Sequence, residues 1–225
     1  MSTPLEIQRQ LSRVLLFFAR QGAAAWIAHL DTMRLFERAF NRAQWPVAWT
    51  EDAFNPRPML VFGLPAGVGI ETRRDPLEVT LETPVDMNCS VEKLNRLLPP
   101  GVEVVAWGEA PATKKSLMSL VKAADYLFEA PKICRAFEKT FSSRPSVIVP
   151  WARKGQVKEI NLTPRILDAR KITDDTLCIK AGAGSENHLR VDLLLEALVR
   201  DGGLSDESAA GARIIRERIY GDLLF

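Results

Sequence analysis

Cysteine and histidine are scarce in this chain, and their scarcity excludes several kinds of site. The three cysteines, at positions 89, 134 and 178, are too far apart for a disulfide framework or a cluster-binding motif. There are only two histidines, so a zinc site built by this chain alone is not expected. Glycine-rich nucleotide motifs and the Gly-x-Ser-x-Gly motif are absent as well. We therefore expect no metal or cofactor.

Long hydrophobic runs are also missing. No window reaches the roughly eighteen apolar residues that a membrane-spanning helix needs, and the run LLFFA near the N-terminus has only five. That N-terminal segment reads as neither a signal peptide nor an anchor. With 47% hydrophobic and 26% charged residues, the composition is that of a globular protein. We expect no membrane association and a cytoplasmic location.

The charge is small overall but unevenly distributed. The net charge is +2, yet residues 1–112 carry 11 basic against 13 acidic side chains. Residues 113–225 carry 19 against 15, and the segment 132–190 alone carries 12 against 6. A basic second half beside a mildly acidic first half suggests two modules, the second of which faces an anionic partner. A solvated basic surface without a partner is the alternative.

The first half predicts the element order β-α-β-β-α-β of the ferredoxin-like split unit, with one strand more than that unit contains. Apolar runs and period-two alternation predict the strands, and period-3.6 spacing predicts the helices. The predicted strands are Arg13–Arg20, Trp45–Thr50, Leu60–Phe62, Leu77–Leu81 and Val102–Trp107, and the predicted helices are His29–Ala43 and Val91–Leu98.

The second half is predicted to repeat this order, although no sequence repeat links the two halves. Its predicted strands are Ala124–Ala130, Val147–Val149, Val157–Leu162, Arg165–Thr173 and Thr176–Lys180, its helices are Lys132–Phe141 and Val191–Val199, and Gly211–Tyr220 is a strand or short helix. The turn-rich, charged stretch Gly108–Ser116 marks the boundary. The predicted fold class is α+β, with two tandem ferredoxin-like modules that have antiparallel sheets, over 1–112 and 113–225.

A series of motifs in the first half resembles a bacterial family, the radical-SAM-linked domain of unknown function. The motif residues are Ala28-His29-Leu30-Asp31, Met33-Arg34 with Glu37-Arg38-Ala39, Ala53-Phe54-Asn55-Pro56-Arg57-Pro58, and Pro65, Gly67, Gly69-Ile70-Glu71. The resemblance covers most of the chain and is densest in 13–107. Family members have serine at position 28, glycine at 53, histidine at 57 and serine at 72, so only one histidine, His29, remains here.

The resemblance implies a partner rather than a mechanism. In that family the domain is fused to, or encoded beside, a cobalamin-binding radical SAM protein. The element order is also similar to that of the RNA-processing proteins of CRISPR systems, which use tandem ferredoxin-like domains. Fold alone does not establish function.

Six arginines are candidate RNA-binding residues. Arg34, Arg38 and Arg42 follow one another at intervals of four and share a helix face, with about 6 Å between successive residues along the axis. Such spacing suits a phosphate backbone, and a solvated face is the alternative. The other three, Arg57, Arg73 and Arg74, lie in predicted loops, as does Asn55.

Other motif residues carry narrower expectations. Gly67 and Gly69 are expected at positions of positive φ or close approach. Trp45 and Trp49 would stack bases if exposed and join the core if buried, and the core is the expectation. His29, followed by Asp31 at the start of a helix, would be a neutral imidazole that acts as a base or simply packs.

Three functions remain open on the sequence. The first is a non-catalytic RNA- or partner-binding accessory protein that serves a radical SAM enzyme acting on RNA, such as a tRNA or rRNA segment. The second is a metal-independent endoribonuclease in which His29 activates the 2′-hydroxyl. The third is an oligomeric scaffold that binds no nucleic acid. The first is the prediction.

Overall fold

The computed structural model describes residues 11–51, 53–142, 144–153, 155–184 and 187–222, and these form a mixed α+β structure. Residues 1–10, which belong to the N-terminal segment weighed as a signal peptide or anchor, lie outside the described residues. The strands are β1 Ser12–Arg20, β2 Leu60–Phe62, β3 Ile70–Leu81, β4 Val102–Glu109, β5 Val121–Glu129, β6 Ile148–Arg153, β7 Gln156–Asn161, β8 Ile166–Thr173, β9 Thr176–Gly182 and β10 Arg213–Gly221. The helices are α1 His29–Ala43, α2 Met87–Asn95, α3 Leu117–Leu120, α4 Ile133–Ser142, α5 Val191–Arg200 and α6 Asp206–Ala210.

Eight of the strands form one mostly antiparallel sheet. Its order is β4-β1-β3-β10-β5-β9-β8, with β2 paired to the other end of β3, while β6 and β7 form a separate hairpin. The two halves meet where β10 runs parallel to β3, with Ile214 opposite Ile70 and Arg216 opposite Thr72. The sequence predicts separate sheets, and the structure has a shared one. Because the three residues of β2 cover only part of β3, the edge at Ile70–Thr72 is open to β10.

Most predicted elements are present, with shifted ends. The helix α1 begins and ends where the amphipathic pattern predicts, and the tail is a strand, β10. The predicted strand over Trp45–Thr50 is wrong, because this stretch makes only the isolated bridges Val47–Leu81 and Trp49–Pro58. The short helices α3 and α6 were not predicted.

The helices of both halves cover the same face of the sheet. Phe18 of β1 packs edge-on against Phe36 of α1, with 5.0 Å between ring centroids. The cross-strand registers place Phe18, Asp75, Arg216 and Tyr126 on that face, allowing for bulges in β3 and β10. Burial of aromatic side chains such as Phe36 contributes about 1.5–3 kcal/mol each.

The two halves also share a core. One cluster lies between α1, α2 and the strands of the first half. The second cluster, built around α4, α5 and β5, includes Leu15, Phe17 and Leu64 of the first half. The halves are therefore joined by side-chain packing as well as by strand pairing. No helix among the described residues has the length and apolar character needed to span a membrane.

Candidate functional site

The helix α1 carries an exposed row of arginines. Its apolar side, which includes Phe36 and Phe40, is buried against the sheet, so Arg34, Arg38 and Arg42 lie exposed on the solvent side. Arg34 pairs with Asp31 at 3.1 Å, one turn back. Arg38 and Arg42 form no ion pair with another described residue, so two of the three charges are not neutralised by close partners.

A surface hollow lies beside this row, between α1 and the loop 49–58. It has a volume of about 430 Å³, and we call it the α1–loop hollow; its lining includes Leu30, Met33, Arg34, Glu37, Trp49 and Arg57. Trp49 is 43% exposed, so the expectation that it belongs to the core is wrong, whereas Trp45 is buried as expected. The hollow thus combines an accessible aromatic ring with the two guanidinium groups of Arg34 and Arg57.

Backbone pairing fixes the loop that carries Arg57. The Thr50 backbone N–H donates to the Arg57 carbonyl at 2.9 Å, and the Arg57 N–H donates to the Thr50 hydroxyl at 3.0 Å. Pro56 and Pro58 restrict the chain on either side of Arg57. Asn55 is exposed at the tip and lies next to Phe54, which is fully exposed. Two motifs that are distant in sequence therefore meet at one surface.

The remaining arginines lie elsewhere. Arg73 pairs with Glu217 at 2.8 Å. Arg74 stacks over the Phe17 ring at 4.5 Å, and Phe17 points away from α1 because its neighbour Phe18 faces that helix. Glu71 is bound by Arg213 and accepts a hydrogen bond from the Gly22 N–H. The six arginines proposed from sequence thus divide into an α1–loop group and a separate β3 group.

The two motif glycines differ. Gly69 has a φ of 83°, in the left-handed region, and a Cβ built there would lie 3.4 Å from the Trp26 ring, as predicted. Gly67 has no positive φ, but a Cβ built there would lie 3.3 Å from Ile70 Cδ1, which is the close approach that was predicted. Its carbonyl accepts a hydrogen bond from Arg20 at 3.0 Å.

His29 faces the protein interior rather than the arginine row. Its ring lies edge-on to Phe62, with 5.4 Å between ring centroids, and it lines a very small cavity with Arg20 and Asp75. Burial, together with the charge of Arg20, lowers the pKa of His29, so the imidazole is neutral near pH 7. The pKa shift has the expected direction but arises from burial and Arg20 rather than from the start of the helix, and the position of the ring favours a packing role.

A buried charge cluster lies on the helix-covered face at the centre of the sheet, and sequence reasoning missed it. Arg216 of β10 donates to both carboxylate oxygens of Asp75 on β3, at 3.0 and 2.6 Å. Burial opposes the charge on Arg216, but Asp75 and the hydroxyl of Tyr126 outweigh it and raise the pKa of Arg216. The available signal was the position of Arg216, two residues after the inward-facing Ile214 in the same strand.

Arg20, at the end of β1, is the second buried arginine of this cluster. Its guanidinium donates to three backbone carbonyls and to the Thr32 hydroxyl, and it forms no ion pair with a described residue. Burial and the charge of Arg216 lower the pKa of Arg20, although Asp75 acts in the opposite direction. The cluster thus holds two guanidinium groups and one carboxylate.

The cysteines do not lie together. Cys89, Cys134 and Cys178 belong to α2, α4 and β9, and they are exposed, buried and partly buried, respectively. Among the described residues, no group of three or more His, Cys, Asp or Glu side chains is placed to hold a metal ion.

A comparison with known families matches residues 13–191 to the family described as an uncharacterized protein conserved in bacteria, DUF2344. The matched range runs from β1 to the start of α5 and contains the whole α1–loop hollow. No curated protein matches the chain. The description of the family names no enzyme, cofactor or nucleic acid, so the link to a radical SAM protein stays a prediction.

Proposed function

The chain belongs to the DUF2344 family of uncharacterized bacterial proteins, and we propose that it is a non-catalytic RNA-binding accessory protein for a radical SAM enzyme of the cobalamin type. The observation that carries the RNA-binding proposal is the exposed arginine row of α1 beside the α1–loop hollow. It is supported by charge, by an accessible aromatic ring and by the meeting of two motifs at one surface.

The arginine row suits an extended phosphate backbone. The backbone positions of successive arginines lie about 6 Å apart along the helix axis, and none of the three side chains is buried. Arg34 is partly neutralised by Asp31, whereas Arg38 and Arg42 are available to replace counterions on RNA. The expected binding is therefore electrostatic and weakens with salt.

The α1–loop hollow adds a place for a base. An unpaired base can stack on an exposed aromatic ring, and Trp49 offers one in the hollow that Arg34 and Arg57 also line. A base on Trp49 would leave its phosphates beside these two guanidinium groups. This favours single-stranded loops or ends, such as those of tRNA or rRNA, over regular duplex.

The fold proposal is that each half is a ferredoxin-like module. In the first half the strand order is β4-β1-β3-β2, and in the second it is β10-β5-β9-β8, so equivalent strands occupy equivalent places. Each half also contributes helices to the same face. We place the boundary between residues 112 and 113, in the segment that joins β4 to α3.

The partner proposal rests on what this chain would leave to another protein. A radical SAM enzyme needs three cysteine ligands for its cluster, and the cysteines here lie on three separate elements. The cluster is therefore assigned to the partner, and this chain is assigned to substrate binding. The endoribonuclease alternative is less favoured, because the partly buried ring of His29 packs against Phe62.

Fluorescence anisotropy with a labelled single-stranded RNA and a labelled tRNA tests this function. Trp49→Ala should weaken binding by roughly 1–3 kcal/mol, the usual contribution of one stacked base. Trp107→Ala is the matched control, because Trp107 is also 43% exposed but lies on β4 beside α2. Equal binding by both variants would contradict the assignment of the hollow, and no RNA affinity at physiological salt would favour the scaffold alternative.

A further inference from the structure

A cleft lies at the junction of the two halves, on the face of the sheet that the helices cover and away from the α1–loop hollow. Its volume is about 530 Å³, within the usual range of small-molecule sites. Arg216 and Tyr126 lie at its floor, residues 65–70 contribute to one wall, and residues 188–195, which include the start of α5, contribute to the other. We call it the central cleft. Both halves build it, so it exists only where they join.

The protein interior beneath the central cleft carries excess positive charge. Arg216 is 1% exposed and is paired with Asp75, while Arg20, 2% exposed, adds a second guanidinium that forms no ion pair among the described residues. Arg20 donates to the carbonyls of Gly67 and Ile70, which line the cleft. One positive charge is therefore uncompensated beneath this wall. A buried charge is normally paired, so an anion nearby would lower its cost.

Unpartnered polar atoms gather around the same place. Among the described residues, the buried side-chain atoms without a hydrogen-bond partner are Arg20 Nε, Thr72 Oγ1 and His188 Nδ1. Thr72 lies between Arg20 and Arg216 in the sheet, and His188 lines the cleft itself. Buried polar atoms nearly always have partners, and those that lack one need an explanation. Of the three, only His188 lines the cleft, and a polar ligand group at the floor would give its Nδ1 a partner.

Two more groups at the floor can donate to a ligand. The hydroxyl of Tyr126 accepts a hydrogen bond from Arg216 at 3.5 Å, and its own proton has no acceptor among the described residues. Burial and the nearby arginines lower the pKa of His188, so its neutral ring has one donor and one acceptor nitrogen.

The walls of the central cleft are apolar. Val68, Ile70, Leu195 and Ile214 line it above the floor. At the rim, Arg190 is already paired with Asp192. The polar groups are thus concentrated at one end, and the rest of the cleft suits a hydrocarbon or aromatic body.

We propose that the central cleft binds a small organic anion, with its carboxylate or phosphoryl group at Arg216, Tyr126 and His188 and its apolar body between the walls. Asp75 neutralises one of the two buried guanidinium charges of Arg20 and Arg216, and the anion balances the other. This site does not depend on the proposed RNA-binding function, because it lies at the junction of the halves and shares no lining residue with the α1–loop hollow.

Two fluorescent probes with the same aromatic body test the proposal. The full-length protein should bind the anion 8-anilinonaphthalene-1-sulfonate at one site and at least about tenfold more tightly than the neutral N-phenyl-1-naphthylamine, since a hydrogen bond to a charged group contributes about 1.5–3 kcal/mol. Octanoate and octyl phosphate should compete, and the stronger of the two identifies the anionic group. Octanol should not compete. Equal affinity for both probes, or equal competition by octanol, would overturn the proposal.

Variants locate the site without touching the Arg216–Asp75 pair, whose loss would threaten folding. Tyr126→Phe should weaken binding of the anionic probe by about tenfold and leave the neutral probe unchanged. Val68→Trp should fill the cleft and abolish both. Val157→Trp, an exposed position on β7, is the matched control and should change neither. Unchanged anion binding by Tyr126→Phe and Val68→Trp would place the probe elsewhere and refute the assignment.

Discussion

Removing either partner of the buried Arg216–Asp75 pair should destabilise the protein, and the two losses should be unequal. The side chains are 1% and 5% exposed, so neither charge can be solvated by water when its partner is removed. Breaking such a pair typically costs about 3–5 kcal/mol. That is a large part of the roughly 5–15 kcal/mol by which a domain is stable.

The inequality follows from Arg20. Asp75→Asn leaves two buried guanidinium groups together, and arginine cannot lose its proton. Arg216→Met leaves the Asp75 carboxylate near the opposite charge of Arg20, so the remaining buried charges attract each other. We therefore expect a loss of about 4–5 kcal/mol for Asp75→Asn and about 3 kcal/mol for Arg216→Met, both within the range for a broken buried pair.

Urea denaturation followed by circular dichroism measures these losses. Glu92→Gln is the control, since the Arg96–Glu92 pair is exposed on α2 and should contribute no more than about 0.5 kcal/mol. The double variant Asp75→Leu with Arg216→Met should recover much of the stability, because an apolar replacement leaves no unpaired charge. A loss under about 1 kcal/mol for Asp75→Asn, or a larger loss for Arg216→Met, would refute this account of the cluster.

Three further predictions concern a histidine, two glycines and two thiols. Because the pKa of His29 is lowered in the folded protein, the unfolded chain binds a proton first as the pH falls, and stability should decrease below about pH 6.5. His29→Gln should therefore reduce the change in the urea midpoint between pH 7 and pH 5. The same change in the variant and the wild-type protein would contradict this. Gly101→Ala should lower the free energy of unfolding by more than about 2 kcal/mol, because Gly101 has a φ of 86° and the new Cβ would lie 2.4 Å from a backbone oxygen. Gly108→Ala is the control and should be nearly neutral, since no atom lies within 4 Å of the new Cβ. Equal urea midpoints for the two variants would refute the argument. Ellman's reagent should modify exposed Cys89 quickly and buried Cys134 only on unfolding, since burial raises the pKa of the Cys134 thiol; equal rates would be inconsistent with this packing.

The helix α1 could be predicted from sequence because its signals are local. The apolar side chains repeat with helical spacing, and Pro46 requires the helix to end before it. The stretch Trp45–Thr50 looks like a strand for equally local reasons. In the structure, Trp45 is buried beside Phe40, with 5.0 Å between ring centroids, so tertiary packing overrides the local preference.

The junction between the halves could not be predicted. The pairing of β10 with β3 joins residues more than 140 positions apart, and nothing local in either strand specifies its partner. The polar start of β3, with Arg73, Arg74 and Asp75, looked like a loop because charged residues are normally exposed. The side chain of Asp75 is buried because it pairs with Arg216, which comes from the far end of the chain.

The candidate site was predicted in part. The exposure of Arg34, Arg38 and Arg42 followed from the buried face of their own helix. The approach of Arg57 to Arg34 depends on how the loop folds over α1, and the separation of Arg73 and Arg74 depends on the face of β3. The sequence shows local periodicity, and local periodicity does not specify which elements contact one another.

The salt dependence of RNA binding tests the central claim most directly. Anisotropy titrations of labelled tRNA at two or more salt concentrations should compare the wild-type protein with the double variant Arg38→Gln/Arg42→Gln. Each lost phosphate contact should reduce the slope of log affinity against log salt by roughly 0.7–0.9, so the double variant should lose about one to two units. Lys114→Gln/Lys115→Gln, which removes the same charge from the exposed segment between β4 and α3, should leave the slope nearly unchanged. Equal slopes for the wild-type protein and the α1 variant would contradict the claim that this face binds RNA.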